Sequence, residues 1–328
     1  MKSGIKIIIS HSIKLITLLL AVSIIAFLLV SLSPVDPVQQ YVLGAGNVSP
    51  EQRLELENYW GVNDPPMERY MNWITALISG DFGMSLLYRR PVIAIIKERF
   101  LNSFVLMMIA WILSGFIGFT LGCLMGMFKD KVIDKVLKKG CLILSSVPTF
   151  WLGLLFLLFF SVFLGWFPIG FSSPIGVLNE NVTFAQKVHH IILPALTLSF
   201  ISFANVALHT RQKLVDVMES DYVLFAKARG ESSWSILKRH GLRNIILPAI
   251  TLQFASFAEL FGGSVIAENV FSYPGLGTAV SAAGLNSDVP LLLGITLFSA
   301  VFVYFGNLIA NVLYGVVDPQ IREAHYHG

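Results

Sequence analysis

Charge is what this sequence has least of. Asp, Glu, Lys and Arg make up 13% of its 328 residues and 55% are hydrophobic, whereas a soluble domain carries about 25% charged residues. The mean hydropathy is +0.71. Together these values point to lipid as the main solvent. Cysteine is nearly absent. Cys123 and Cys141 lie in apolar stretches, which excludes a disulfide framework and a cysteine metal site and leaves small buried hydrophobes. No GxxxxGK[ST] loop occurs, so the chain is not expected to hold ATP through a Walker A motif. No HExxH or Cys-x-x-Cys pair occurs. Ser3-Gly-Ile-Lys6 matches the letters S-x-x-K by coincidence, in a basic tail. The seven histidines show no metal-ligand spacing inside a span; His189-His190 reads as a polar membrane edge and His325-Tyr-His327 as a tail. No catalytic constellation, low-complexity tract or fixed-period repeat is present. The expectation is a chain that is not an enzyme and binds no metal or cofactor itself.

Long apolar runs are what it does have. A helix needs about 20 apolar residues to cross a bilayer. Six stretches qualify: Leu15–Val35, Leu101–Phe128, a span near Cys141–Gly165, Val188–Thr210, Ile245–Ala267 and Val289–Val317. The fifth is interrupted only by Glu259. The expected fold class is therefore all-α, with six transmembrane helices. The expected organisation is a tail and first span over 1–33, an extracytoplasmic segment over 34–100, a core over 101–317 and a tail over 318–328. Ser31-Leu32-Ser33 before Pro34 is a poor cleavage context after a long apolar run, so the first span is expected to be retained.

Basic residues orient the spans, because Lys and Arg favour short cytoplasmic loops. Sixteen of the 23 fall before span one, between spans two and three, between spans four and five, or after span six. Both termini are expected in the cytoplasm of a bacterial cell, with the chain multi-pass in its inner membrane. This topology already explains the basic loops, so nucleic acid is not an expected partner.

Two segments outside the spans have internal structure. In 34–100, Ser49 reads as a helix cap with Pro50 in the first turn; Pro65-Pro66 breaks that helix and a second runs from Met67 to Ser79, ending at Gly80. In 211–244, a short helix over Asp221–Arg229 ends at Gly230. Ser232 and Ser233 cap another that runs through Arg239 and ends at Gly241. Tyr222, Phe225, Ala226, Trp234 and Leu237 give this segment an apolar side flanked by bases. It reads either as an amphipathic loop on anionic headgroups or as a docking element for a cytoplasmic partner.

Within the spans, Gly118, Gly122 and Gly126 recur every four residues, a spacing that lets helix backbones approach. Pro148 is expected to bend span three. Glu259 lies about 21 Å into a core about 30 Å thick, where an acid must face protein or water. Gln253, Ser256, Glu259 and Gly263 fall near one helix face, and Tyr304, Asn307, Asn311 and Tyr314 form a second polar stripe. The stripes border a solute path or hydrogen-bond across a subunit interface.

Asp221-Tyr-Val-Leu-Phe-Ala-Lys-Ala-Arg-Gly230, followed by Leu237-Lys-Arg-His-Gly-Leu-Arg-Asn-Ile-Ile-Leu-Pro248, resembles the EAA-type loop of ABC importer permeases. It is most similar to the dipeptide, oligopeptide and nickel branch. Ser33–Pro37, Gly80–Ser85, Val147–Gly153, Ile192–Thr197, Glu268–Gly277 and Asp318–Arg322 agree in order. Leu224 and Phe225 replace Glu and Ala of the general pattern, a departure the peptide and nickel branch shares. The resemblance implies a type I importer permease fold and uptake of di- or oligopeptides, nickel or a nickel chelate. It implies a second homologous permease, two ATPase subunits holding Mg-ATP, and an extracytoplasmic solute-binding protein. Asp221, Tyr222, Ala226, Ala228, Gly230, Leu237 and His240 would then form the coupling element that docks on an ATPase. A stand-alone secondary carrier or channel is the competing reading; the 34-residue inner segment, useless to a carrier, speaks against it.

Overall fold

The computed structural model describes residues 2–32, 38–39, 49–59 and 64–317. The motifs at 33–37 and 318–322, the C-terminal tail and the side chain of Tyr314 lie outside the described residues. The helices are α1 (Lys2–Ser31), α2 (Pro50–Tyr59), α3 (Pro66–Ile78), α4 (Val92–Met127), α5 (Val132–Ser146), α6 (Thr149–Phe156), α7 (Phe184–Met218), α8 (Asp221–Ala228), α9 (Ser233–Ile236), α10 (Leu242–Ala255), α11 (Phe257–Val270), α12 (Leu276–Leu285) and α13 (Val289–Val317). Among the described residues the only strand-like pairing is an isolated bridge from Met84 to Pro91. Among the described residues three helices are long and apolar enough to cross a membrane, over Ile9–Ser31, Val92–Met127 and Val289–Val312. Three bent pairs pass the same test jointly, so the spans number six if each pair is one crossing.

One compact unit comprises residues 1–102 and 275–304. The expected cap at Ser49 is present: its Oγ accepts from the Gln52 amide at 3.2 Å, and the Gln52 side chain accepts from the Ser49 amide at 3.2 Å, a reciprocal box. Helix α3 packs on α1. The Tyr70 hydroxyl meets Ser23 Oγ at 2.8 Å, and Phe27 lies against Tyr70 and Trp73 with centroids 5.3 and 6.2 Å away. Asp288 is fully buried. It accepts from Ser85 Oγ at 2.5 Å, from the Leu87 amide at 3.0 Å and from the Leu291 amide at 3.2 Å, so one carboxylate ties the Gly80–Ser85 motif to the start of α13.

The other unit comprises residues 103–274 and 305–328. Its seam is the contact of α4 with α7. A Cβ on Gly118 would stand 2.7 Å from the Phe203 carbonyl and 2.8 Å from Val206 Cβ; on Gly122 it would stand 2.5 Å from Thr210 Cβ; on Gly126, 2.9 Å from Leu214 Cβ. The partners advance by four residues on both helices in the same sense, so α4 and α7 run parallel. Their C-terminal ends therefore lie together, which puts the turn 128–131 beside the segment that follows Met218.

Three sequence expectations change here. Pro148 does more than bend a helix. Val147 is extended, Pro148 precedes the first turn of α6, and α5 stands at 109° to the helical run Thr149–Phe163. The ring removes an amide and restricts the residue before it, which ends α5 outright. Span five is two helices, α10 and α11, joined at Ser256 and inclined by 49°. Gly241 does not end a helix: a π-helical turn over Leu237–Gly241 joins α9 to α10. It is glycine because a Cβ there would meet Leu237 Cδ1 at 2.9 Å and Leu214 Cδ1 at 3.1 Å.

Candidate functional site

The segment after α7 is built as a mounted platform. Helix α8 buries Val223 and Ala226, which cluster with Ile236 against Val217 and Met218. Below them Leu214, Leu237 and Ile245 form a second cluster with Leu242 and Met127. Gly230 ends the element with φ +85° and open space around it; the Glu231 amide donates back to the Ala226 carbonyl at 3.2 Å. That left-handed turn suits glycine. Ser232 caps α9 by accepting from the Ser235 amide at 3.3 Å.

The apolar side expected from the sequence divides in two. Ala226 and Leu237 point inward and hold the platform. Tyr222, Leu224, Phe225 and Trp234 point outward, between 46% and 66% exposed, an unusual burden of exposed large apolar side chains for one short segment. Asp221, Ala228 and Gly230 are exposed and His240 is half-buried. The Tyr222 ring lies 5.9 Å from the His240 ring, and its hydroxyl accepts from Asn244 Nδ2 at 3.3 Å. Lys238 Nζ sits 5.4 Å above the Trp234 ring, so bases rim the apolar surface.

Helix α7, on whose end the platform is mounted, is fixed to α5 by a pair of residues that sequence reasoning missed. Arg211 Nε and Nη2 each donate to the Asp134 carboxylate at 2.6 Å, and the Asp130 amide donates to it at 2.9 Å. Asp134 is 1% exposed and Arg211 9%. The Arg211 guanidinium holds the Asp134 carboxyl below the usual carboxylate range. A further ion pair joins Lys129 to Glu219, beside the start of α8. The available signal was Asp134 itself, an acid set among Lys131, Lys135, Lys138 and Lys139.

The polar stripes separate. Gln253 is buried: its Nε2 donates to the Trp111 carbonyl at 2.6 Å and to Ser114 Oγ at 2.9 Å, while Trp111 Nε1 donates to the Gln253 carbonyl at 2.8 Å. It ties α10 to α4, with Gly115 against its amide. Ser256 is the break residue, so spacing does not carry through it, and Gln253 does not share one helix with Glu259 and Gly263. Gly263 is buried; Glu259, Asn307 and Asn311 are exposed. A Cβ on Gly306 would stand 3.0 Å from Phe257 Cδ1. Glu259 is two residues, and Asn307 one residue, from that contact. An apolar cavity of about 440 Å³ lies between α4 and α10, lined in part by Trp111, Phe116, Ile246 and Phe254. Among the described residues no three His, Cys, Asp or Glu side chains converge on a metal position.

In the Glu268–Gly277 motif, Glu268 is fully buried and Phe271 and Tyr273 are 1% and 5% exposed. Burial and the charge of Glu268 push the Tyr273 phenol up to about 12.

Apolar crossings, bent pairs and a basic-rimmed platform at one end define a polytopic helical membrane protein. Residues 118–323 match the family described as binding-protein-dependent transport system inner membrane component, and the chain belongs to that family. It is 34% identical over 316 residues to the oligopeptide transport system permease protein AppB of Bacillus subtilis (strain 168), covering 96% of this chain and 98% of that one. It is 33% identical over 317 residues to the glutathione transport system permease protein GsiC of Escherichia coli (strain K12), covering 96% and 98%. A putative peptide transport system permease protein of Brucella abortus (strain 2308) is 33% identical over 313 residues, covering 94% and 96%. The chain is thus an ABC importer permease with the type I permease fold, a transport subunit and not an enzyme. It works in the membrane with ATPase and binding-protein partners.

Proposed function

We propose that this permease forms half of the path for ATP-driven uptake of di- or oligopeptides, with a second homologous permease forming the other half. Two ATPase subunits, which hold the Mg-ATP, grip the platform at Tyr222, Leu224, Phe225 and Trp234. An extracytoplasmic binding protein delivers the solute, both termini are cytoplasmic, and residues 34–100 face outward. Peptide is chosen over nickel because the similar permeases named above carry peptide or glutathione in their names.

The observation that carries the reading is the division of α8: Val223 and Ala226 are buried, while Leu224 and Phe225 are each 66% exposed. A headgroup-resting loop would gain from the same apolar residues. It would have less use for the buried cluster of Val223, Ala226 and Ile236 that seats α8 on Val217 and Met218 at the end of α7. Closure of the ATPases would move α8 and, through its buried cluster, the end of α7; the Asp134–Arg211 pair would carry α5 along with α7, a rigid-body form of alternating access. Glu259, Asn307 and Asn311, the exposed members of the polar stripes, border the path. Gln253 and Gly263 position helices.

The test is accumulation of a labelled tripeptide in vesicles holding the complete importer, its binding protein and Mg-ATP. Phe225→Asp is expected to abolish accumulation without altering thermal stability. Full accumulation by that variant refutes the docking role. Accumulation of radioactive nickel instead of tripeptide in the same vesicles refutes the cargo.

A further inference from the structure

The loop that follows Phe163 has the wrong surface for water. No Asp, Glu, Lys or Arg occurs from Gly140 to Asn179. Within the loop Trp166, Ile169, Phe171, Ile175 and Leu178 are all exposed, Ile175 by 85% and Leu178 by 73%. Large side chains of this kind at this density are unusual on a hydrated surface.

The crossing before it is also too short. Helix α6 has eight residues and its π-helical continuation over Leu157–Phe163 has seven, about 22 Å at about 1.5 Å per residue. The hydrocarbon core is about 30 Å thick. Because α5 stands at 109° to this run, it adds little depth. The missing apolar depth falls to the segment after Phe163.

Irregular backbone at such depth needs internal partners for its carbonyls, and this loop has them from side chains. His189 Nε2 donates to the Trp166 carbonyl at 2.8 Å. Ser161 Oγ donates to the Pro168 carbonyl at 3.1 Å. His190 Nδ1 donates to the Gly170 carbonyl at 2.9 Å and lies 3.3 Å from that of Phe171. The Phe171 amide donates to the Phe271 carbonyl at 2.9 Å. A loop in water would have no need of two histidines and a serine for this purpose.

We propose that residues 164–178 are seated within the apolar boundary of the bilayer, at the end of the crossing opposite Pro148, with lipid as their partner. Trp166 then sits where aromatic side chains favour the membrane interface. The His189-His190 pair serves the loop's backbone instead of marking a polar edge.

Spin labels test this in the full chain, reconstituted in vesicles of phosphatidylethanolamine and phosphatidylglycerol. In a Cys123→Ala, Cys141→Ala background, single cysteines replace Ile175 or Leu178, with Ser233→Cys on the exposed surface of α9 as the aqueous reference. Ile175 and Leu178 are exposed, so the label displaces no packing. The expected ratio of oxygen to nickel-chelate collision rates at 175 and 178 is several-fold above that at 233. A ratio equal to the reference places the loop in water and overturns the proposal. Exclusion of both reagents means that protein covers the loop, and overturns it too. The readout uses neither ATP nor solute, so it stands or falls apart from the coupling reading.

Discussion

The platform after α7 and the loop 164–178 both expose aromatic side chains. Their surroundings differ. Around Tyr222, Phe225 and Trp234 stand Lys227, Arg229, Lys238 and Arg239; around Trp166, Phe171 and Ile175 no charged residue stands within the loop. The helix that carries the platform, α7, is held to α5 by a buried ion pair, whereas the loop is held by neutral donors on its carbonyls. An exposed aromatic residue therefore says little alone about what covers it. The charges beside it, and the way its backbone is satisfied, are what distinguish the two surfaces.

The largest effect should come from the ion pair between α5 and α7. Asp134→Ala leaves the Arg211 guanidinium buried and unpaired, a loss of about 3–5 kcal/mol. A thermal melt in detergent should fall steeply, and Asp134→Leu with Arg211→Met should recover much of it. If the single variant melts like the parent, α5 and α7 are not held together by charge. The same carboxyl gives a pH signature. Its folded pKa is depressed, so its contribution is present above the unfolded value of about 3.9. The contribution is lost as pH falls through the folded value. The stability gap between the parent and Asp134→Asn should therefore hold at neutral pH and narrow below about pH 4.

The loop should be less costly to disturb. His190→Ala strips the donor from the Gly170 carbonyl, a penalty of about 1–3 kcal/mol if water does not replace it. A drop well under 1 kcal/mol would put water at that carbonyl and erase the contrast with the platform. Smaller again is Ser232→Ala, which removes the cap of α9 for about 1 kcal/mol, read by the same melt. Phe225→Ala should change stability by less than about 0.5 kcal/mol, because its side chain is exposed, while it weakens ATPase binding in a pull-down. Such a split between stability and binding sharpens the comparison most.

Local chemistry was legible in the sequence wherever a few neighbouring residues decide it. Ser49 and Pro50 announce α2, Gly80 closes the turn after α3, and Gly230 ends α8, because caps and left-handed turns depend on the residues that form them. Gly118, Gly122 and Gly126 were legible as a packing face, though not their partner helix. The polar stripe through Ser256 misled, since spacing assumes an unbroken helix and the break there carries no proline or glycine. Gly241 misled for the opposite reason: the Leu214 and Leu237 side chains crowd its Cα and favour a small residue where no helix ends. The Asp134–Arg211 pair joins residues 77 positions apart. Arg211 looked like one more orienting base, because a charge-balance rule does not say which base is buried.

The glycine seam sets the kinds of motion open to α4 and α7. Their contacts repeat every four residues on both helices, about 6 Å of travel. Any smaller axial slip would drive Val206, Thr210 or Leu214 from a glycine notch into a neighbour that has a side chain. Gradual telescoping is therefore blocked, while tilting about a notch costs far less. The two helices are thus matched like a pair of gear teeth, free to tilt on one another but not to slide.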